Sequence, residues 1–123
     1  MKKLLLIFLL FPLSVFSQEW IKLGTNITGT VFYYDKESLK ILGNKRFVLT
    51  MFDYIEPNLG DLSSQSYQTI DCDEYTIEVT LFRSYVLPMG NGEVNTSFNL
   101  NDKITVSRSD NDFNHYLVST LCE

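Results

Sequence analysis

The stretch "YQTIDCDEYTIEV", residues 67–79, joins two runs of strand-forming residues through an acidic segment that contains a single cysteine, Cys72. Alternating β-branched and aromatic residues are typical of strands that are buried on one face. In the second run the residues predicted to share the buried face are Tyr75, Ile77, Val79 and Leu81. One strand from Ser64 to Phe82 would be unusually long, so a turn or bulge is predicted at Asp71–Glu74. The stretch therefore predicts two antiparallel strands with Cys72 where they meet.

The same alternation recurs along the rest of the chain. Strands are predicted at 20–23, 30–34, 45–54, 64–70, 75–82, 94–100 and 103–107. Segments 42–44, 57–60 and 89–92 each contain Gly and Asn, and the second also contains Pro57, as is typical of hairpin turns. In the run Phe32–Tyr34 the alternation leaves two choices, with either Tyr33 or its two neighbours in the core. These patterns predict a mainly β (α+β) fold with a single antiparallel sheet.

A short amphipathic helix is predicted at residues 110–121, with Ser109 or Asp110 as its N-cap. The residues that recur at helical spacing are Phe113, Tyr116, Leu117, Thr120 and Leu121. Such a short helix is not stable alone, so it must pack on the sheet. At about 100° per residue, Cys122 would point away from Phe113 on an ideal helix. The last turn is therefore predicted to unwind before the cysteine.

Residues 1–17, "MKKLLLIFLLFPLSVFS", begin with two lysines, continue with eight unbroken apolar residues and end on a small residue. These are the features of a secretory signal peptide, whose apolar core is too short to span a bilayer. Cleavage after Ser17 would leave one domain, residues 18–123. No cysteine that could carry a lipid directly follows the apolar run, so no stable membrane anchor is predicted. We expect a protein secreted across the inner membrane, to the periplasm or the cell surface.

The charge of the chain bears on its partners. Cleavage would remove two of the ten Lys and Arg residues, leaving eight against fifteen Asp and Glu residues, a formal charge of −7. The basic residues are scattered singly apart from Lys45–Arg46, whereas nucleic-acid binding requires them in clusters. No nucleic-acid partner is therefore predicted.

The chain contains two cysteines, Cys72 and Cys122. An oxidising compartment favours their pairing, and closing a loop of about fifty residues contributes roughly 4 kcal/mol in the chain-entropy model. A metal site would need more ligands than these cysteines and His115 supply, and the C-x-x-C spacing of redox proteins is absent. A disulfide between Cys72 and Cys122 is therefore predicted.

Three features could suggest catalysis or metal binding. His115 is the single histidine and lacks the motifs of a hydrolase, so it is interpreted as a solvated helix residue. Asp71 and Asp73 are interpreted as a solvated turn rather than an acid–base pair. Residues 110–114 imitate the start of a calcium loop, but the glycine and glutamate that such a loop needs further on are missing. We predict no enzyme activity, no metal and no cofactor.

Five features occur in order along the chain: "VFYYDKESLK", "KRFVLTMFDY", "SSQSYQTIDCDEY", "MGNGEV" and a terminal helix that ends in a cysteine. Together they resemble the surface-adhesin E family of small secreted bacterial proteins. The resemblance implies an antiparallel sheet of about six strands, with a C-terminal helix tethered to it by the disulfide. It also implies adhesion, because the named adhesin of the family contacts host extracellular-matrix and plasma proteins.

Two functions follow as expectations. The first is a secreted, non-catalytic module that binds another protein through a sheet face or edge, as an adhesin for host matrix or plasma proteins does. The alternative is a periplasmic structural or accessory protein that binds another component of the bacterial envelope. The open edges of a sheet expose unpaired backbone groups, so either a homodimer or edges covered by loops are expected. The sequence does not indicate which residues bind the partner.

Overall fold

A computed structural model describes residues 18–108 and 112–123, so the predicted signal peptide lies outside the described residues. Within these ranges the chain forms seven strands and one α-helix. They are β1 (Trp20–Thr25), β2 (Val31–Asp35), β3 (Lys40–Leu42), β4 (Lys45–Asn58), β5 (Asp61–Asp71), β6 (Thr76–Tyr85), β7 (Val94–Thr105) and α1 (Phe113–Cys122). Short 3₁₀ turns occur at Lys36–Ser38 and Pro88–Gly90.

The strands form one antiparallel sheet in the order β1-β2-β4-β5-β6-β7, and the sheet does not close. β2 and β3 pair one after the other with the same side of β4, against residues 50–53 and 45–47. The predicted fold class is confirmed, including the helix and its disulfide tether. The resemblance implied about six strands, and the sheet has seven because it includes the three-residue β3, which the sequence pattern did not reveal. The segments predicted at 94–100 and 103–107 belong to one strand, β7.

The hairpin between β4 and β5 turns through Leu59 and Gly60, which have φ angles of 53° and 87°. Positive φ at both central residues is the requirement of a type I′ turn, for which Asn-Gly is the preferred pair. Leu59 is a poor choice there because its branched side chain crowds the backbone, and 93% of the residue's surface is exposed.

We expect Leu59→Asn to raise the free energy of unfolding by about 0.5–1 kcal/mol, because asparagine tolerates the left-handed conformation better than leucine does. Urea unfolding of the two proteins measures the difference. Ile27→Asn is the matched control, since Ile27 is also fully exposed but has no positive φ. An equal gain in both variants would show that the backbone conformation is not the cause.

A β-bulge at Thr80 interrupts the alternation of β6. Val79 pairs with Gln68 and Leu81 pairs with Tyr67, so Thr80 has no opposite partner in β5. The extra residue moves Leu81 to the face opposite Val79. The prediction that Leu81 shares a face with Ile77 and Val79 is therefore wrong.

The helix packs on one face of the sheet, here called the helix-side face, and forms the main core with it. The buried residues of this core are Val48, Ile70, Tyr75, Ile77, Val106, Phe113, Leu117, Val118 and Leu121. Three phenyl rings, of Phe32, Phe52 and Phe113, meet with centroids 4.7 to 5.0 Å apart. Tyr34 packs on the same core, whereas Tyr33 lies on the other face, which decides the choice that the sequence left open.

Helix α1 begins at Phe113, and its N-cap is Asp112, whose side chain accepts a hydrogen bond of 3.0 Å from the His115 amide. The predicted caps, Ser109 and Asp110, lie outside the described residues. The buried side chains of the helix are Phe113, Leu117, Val118 and Leu121. Tyr116 and Thr120, which were predicted to belong to this stripe, are exposed. The helix is thus rotated so that Val118 replaces them against the sheet.

This rotation explains how Cys122 reaches the sheet from within the helix. The predicted unwinding before Cys122 is wrong, because α1 includes the cysteine. At 100° per residue, the buried side chains occupy the arc of the helix surface between Phe113 and Val118. Cys122 lies only about 40° beyond Val118, at the edge of this arc. The Arg46 side chain also donates to the Leu121 carbonyl at 2.8 Å, satisfying one of the free carbonyls at the helix end.

Candidate functional site

The turn that contains Cys72 is organised by the Asp71 carboxylate. Its Oδ1 accepts hydrogen bonds from the amides of Asp73 and Glu74, both at 3.0 Å, and from the Asn44 side chain at 3.2 Å. Its Oδ2 lies 3.1 Å from the Lys45 ammonium. The turn therefore holds Cys72 at the end of β5, where its disulfide reaches Cys122 with a Cα–Cα distance of 5.6 Å.

Asp71 is buried, whereas Asp73 is exposed. The interpretation of a solvated turn is thus right for Asp73 and wrong for Asp71. The hydrogen bond from the Glu74 amide, followed by that from Lys45, holds the pKa of Asp71 below its ordinary value of 3.8. Such a carboxylate stays ionised and is fully engaged by donors, which suits a structural role and not acid–base catalysis.

The lowered pKa predicts how stability depends on pH. A carboxylate with a folded-state pKa below its unfolded value stabilises the protein above about pH 4, and this contribution is lost as the pH falls through the folded-state pKa. Asp71→Asn should therefore lower the free energy of unfolding at neutral pH and flatten its decline in acid. Urea unfolding from about pH 7 to about pH 2.5 tests this. Asp73→Asn is the control, and an equally flattened profile in that variant would contradict the assignment to Asp71.

His115 is not a free helix residue, which corrects the expectation from the sequence. Its Nδ1 lies 2.9 Å from the Tyr75 hydroxyl, and the Arg108 guanidinium lies 4.1 Å from the centroid of the Tyr75 ring. Tyr75 has a φ of 58° and a buried side chain, so this group secures the start of β6 against the helix. Among residues 18–108 and 112–123, no group of three or more His, Cys, Asp or Glu side chains could hold a metal ion.

The face of the sheet opposite the helix, here called the open face, carries an apolar patch on three neighbouring strands. Tyr67 on β5 lies opposite Leu49 of β4 and Leu81 of β6. Phe47, two residues before Leu49 in β4, has its side chain on the same face. Phe47 is 38% exposed and Tyr67 is 47% exposed. An aromatic pair of this kind is expected at protein interfaces, because it supplies a large contact area at little entropic cost.

Basic residues surround this patch. The exposed charged side chains at the paired strand positions of the open face are all basic; they are Lys22, Lys40, Arg83 and Lys103. The acidic residues at paired positions of this face are buried or half-buried; they are Asp35, Asp53, Asp61, Asp71 and Glu78. The exposed charges at these positions of the open face are thus basic, although the chain as a whole has a formal charge of −5 and the Lys103 ammonium lies 3.2 Å from the Glu74 carboxylate.

The connection between β6 and β7 covers one end of the open face. The Met89 amide donates to the Asp53 carboxylate and the Gly90 amide donates to the Ser63 hydroxyl, both at 2.8 Å. Met51 lies on this part of the face and is fully buried, and a Cβ at Gly90 would collide with the Gln65 side chain. The fixed connection therefore limits the accessible part of the face to the end that carries Phe47 and Tyr67.

The sequence did not reveal this site. Its aromatic patch and its basic residues come from six strands, and they are brought together only by the strand order. The signal that could have indicated it is the alternation of β4, in which the positions of Phe47, Leu49 and Met51 are apolar on the face that the helix does not cover. The two predicted site residues, Cys72 and Cys122, join each other and lie outside the open face.

Comparisons with known proteins agree with the architecture. Two crystal structures of Haemophilus influenzae protein E, crystal form II and the selenomethionine form, match with TM-scores of 0.64 and 0.63, each at 19% identity. The first match covers 92% of this chain and 94% of that chain, and the second covers 90% of each. A structure of protein E from non-typeable H. influenzae matches with a TM-score of 0.55 at 16% identity, over 88% of this chain and 79% of that chain. No curated protein sequence matches the chain.

The family model described as surface-adhesin protein E matches residues 20–123, which include every strand and the helix. Members of this family are adhesin-like surface or secreted proteins, which is not a class of enzyme. Among the described residues, no helix has the length and apolar character that a membrane crossing requires. The chain belongs to the surface-adhesin protein E family.

Proposed function

We propose that the chain is a secreted, non-catalytic module that binds a partner protein through the open face. The observation that supports this proposal is the exposed aromatic pair Phe47 and Tyr67, which lies on a rigid sheet and is surrounded by basic side chains. Interfaces commonly combine an apolar centre with a polar rim, and a few central aromatic residues supply most of the affinity. The preferred partner therefore presents an apolar or aromatic centre within an acidic rim.

Two classes of partner fit the family and the location. Host extracellular-matrix or plasma proteins would make the chain an adhesin, and a bacterial envelope protein would make it a periplasmic accessory protein. We infer that residues 1–17 are removed as a signal peptide and that residues 18–123 form the domain that binds the partner. The N-terminal mass of the exported protein checks the cleavage site, and Gln18 is the expected first residue.

Binding of the mature domain to purified matrix and plasma proteins and to envelope extract, by biolayer interferometry, tests the proposal. The variant Phe47→Ser with Tyr67→Ser should lose at least about tenfold in affinity, because it removes the centre of the interface. The control variant Ile27→Ser with Leu59→Ser also removes two exposed apolar side chains, but from loops outside the face. Equal affinities of the wild type and the Phe47 and Tyr67 variant would overturn the proposal, as would a domain that binds neither set.

The exposed basic residues of the open face can be tested through the rate of association. Arg83→Glu should slow association and reduce its dependence on salt, because rim charges mainly steer the encounter. Lys36→Glu is the control, since Lys36 is also exposed but lies in a 3₁₀ turn outside the open face. An equal effect of both changes would indicate a response to net charge and not to the face.

Protease shaving of intact cells separates the two classes of partner. If the chain is an adhesin for host proteins, an external protease should cut it on intact cells. If the chain resists cleavage until the outer membrane is opened, the result supports the periplasmic alternative. The proposed use of the open face applies to both.

A homodimer through an edge or a face remains a prediction. β7 is an exposed edge strand of twelve residues, and eleven of them are exposed. Such an edge offers unpaired backbone groups to a second copy. Light scattering across micromolar concentrations is expected to show a dimer, and a monomer at every concentration would exclude it.

A further inference from the structure

One end of the sheet carries exposed aliphatic side chains in two neighbouring loops. Ile27 is fully exposed in the loop between β1 and β2, Leu59 is exposed in the turn between β4 and β5, and Ile55 is 69% exposed near the end of β4. The loops are neighbours, because a Cβ at Gly29 would collide with the Ile55 side chain. Ile27, Ile55 and Leu59 are here called the apolar tip. Exposed apolar residues that lie together, and not singly, indicate a contact surface.

Leu59 is the most informative of the three. Its φ of 53° lies in the left-handed region, where glycine and asparagine are favoured, so a leucine in this turn lowers the stability of the fold. Its side chain gains little packing in return, since nearly all of its surface is exposed. Backbone strain without a structural gain is a feature of functional sites. Leu59 therefore indicates that the turn presents an apolar side chain to a partner.

The charges at this end of the sheet are acidic. Three connections meet there, and they contain four Asp or Glu residues but no Lys, Arg or His; they are residues 24–31, 53–64 and 85–97. Glu56 lies with Ile55 along the hollow between the two loops, and Asp61 is two residues beyond Leu59. Acidic residues beside an apolar centre are repelled by anionic lipid headgroups and attracted by a basic protein surface.

The open face of a second copy is such a surface. Its exposed centre is the aromatic pair Phe47 and Tyr67, and the exposed charged residues at its paired strand positions are basic. The partner preferred by this face presents an apolar centre and acidic residues, and the apolar tip has both. The tip and the aromatic pair of one copy belong to the same hydrogen-bonded sheet, so the tip cannot fold back onto its own open face.

We propose that the apolar tip of one copy docks on the open face of a second copy. The contact rests on the proposed use of the open face and names one partner for it. It is heterologous, because different surfaces of the two copies meet, and it leaves one tip and one open face free. Further copies therefore add head to tail, and the contact competes with any other partner for the open face.

Light scattering from micromolar to millimolar concentration tests the contact, and the mean mass of the wild type should rise above that of two chains. The tip variant, Ile27→Ser with Leu59→Ser, should stop at the monomer, or at the edge dimer where that forms. The open-face variant, Phe47→Ser with Tyr67→Ser, should stop there as well. An equimolar mixture of the two variants should form a larger species than either, because it combines an intact open face with an intact tip.

Leu59→Asn separates docking from folding. It should weaken the self-association at least about fivefold, because it removes an apolar side chain from the contact, although it relieves the positive φ and stabilises the fold. Ile41→Ser is the matched control and should leave the association unchanged. Ile41 is also an exposed aliphatic residue, but it pairs with Arg46 at the other end of the sheet.

Three results would overturn the proposal. They are a wild-type mass that never exceeds that of two chains, a tip variant that associates as the wild type does, and a mixture no larger than its components. Flotation with phosphatidylcholine vesicles examines the other occupant. If the wild type floats, the tip variant does not and both have the same mass in solution, the tip binds lipid and not a second copy. The proposed function fails by a different result, which is equal affinity of the wild type and the open-face variant for a partner protein.

Discussion

Replacing Cys72 or Cys122 with serine is expected to lower the free energy of unfolding by about 4 kcal/mol. The disulfide joins residues 50 positions apart, and the loss follows from the entropy that the unfolded chain gains when this loop opens. The double variant should cost little more than either single one, because both changes remove the same bond. Urea unfolding of the three variants and the wild type measures these differences.

The region that loosens first should be the helix. On reduction, the amides of Phe113–Cys122 should lose protection from hydrogen exchange, whereas those of Val48–Met51 and of β6 near Ile77 should keep theirs. The sheet has buried residues on both faces, whereas α1 is attached by its apolar stripe, the hydrogen bond between His115 and Tyr75, the Arg46 contact and the disulfide. A uniform loss of protection would show that the disulfide supports the whole sheet, and two free thiols in the non-reduced protein would remove the basis of the prediction.

Leu117→Ala is expected to cost about 3 kcal/mol, because Leu117 is fully buried between the helix and the sheet and its truncation leaves a cavity. Val118→Ala should cost about 2 kcal/mol for the same reason, since Val118 is also fully buried. The matched control is Thr120→Ala, on the exposed side of the same helix, which should change stability by less than about 0.5 kcal/mol.

This series distinguishes the observed helix orientation from the one that the spacing of apolar residues predicts. In the predicted orientation Thr120 faces the sheet and Val118 does not. A cost for Thr120→Ala that exceeded the cost for Val118→Ala would therefore contradict the packing described above. Thermal unfolding followed by circular dichroism is sufficient, since the two orientations predict opposite rankings.

The strands were predictable because their signal is local. Runs of β-branched and aromatic residues, bounded by turn residues, indicate β2, β4 and β6 without knowledge of their neighbours. The short β3 could not be found in this way, because its three residues are all exposed and its partner is β4. The bulge at Thr80 was equally invisible, since it depends on the register between β5 and β6.

The candidate sites depended still more on the tertiary structure. Lys22, Arg83 and Lys103 are far apart in sequence, so the scattered basic residues of a chain with a negative net charge gave no indication that these three share a face. Strand order places them on one surface.

By itself the sequence determined the class of fold, the pairing of Cys72 with Cys122 and the membership of a family. The fold class and the family rest on short-range patterns of residues. The disulfide rests on the presence of only two cysteines in the chain. The tertiary structure alone decided the rotation of the helix, the faces on which Leu81 and Tyr33 lie, and the position of the open face. These depend on how side chains from distant segments share a limited volume, and a periodicity of one segment does not contain that information.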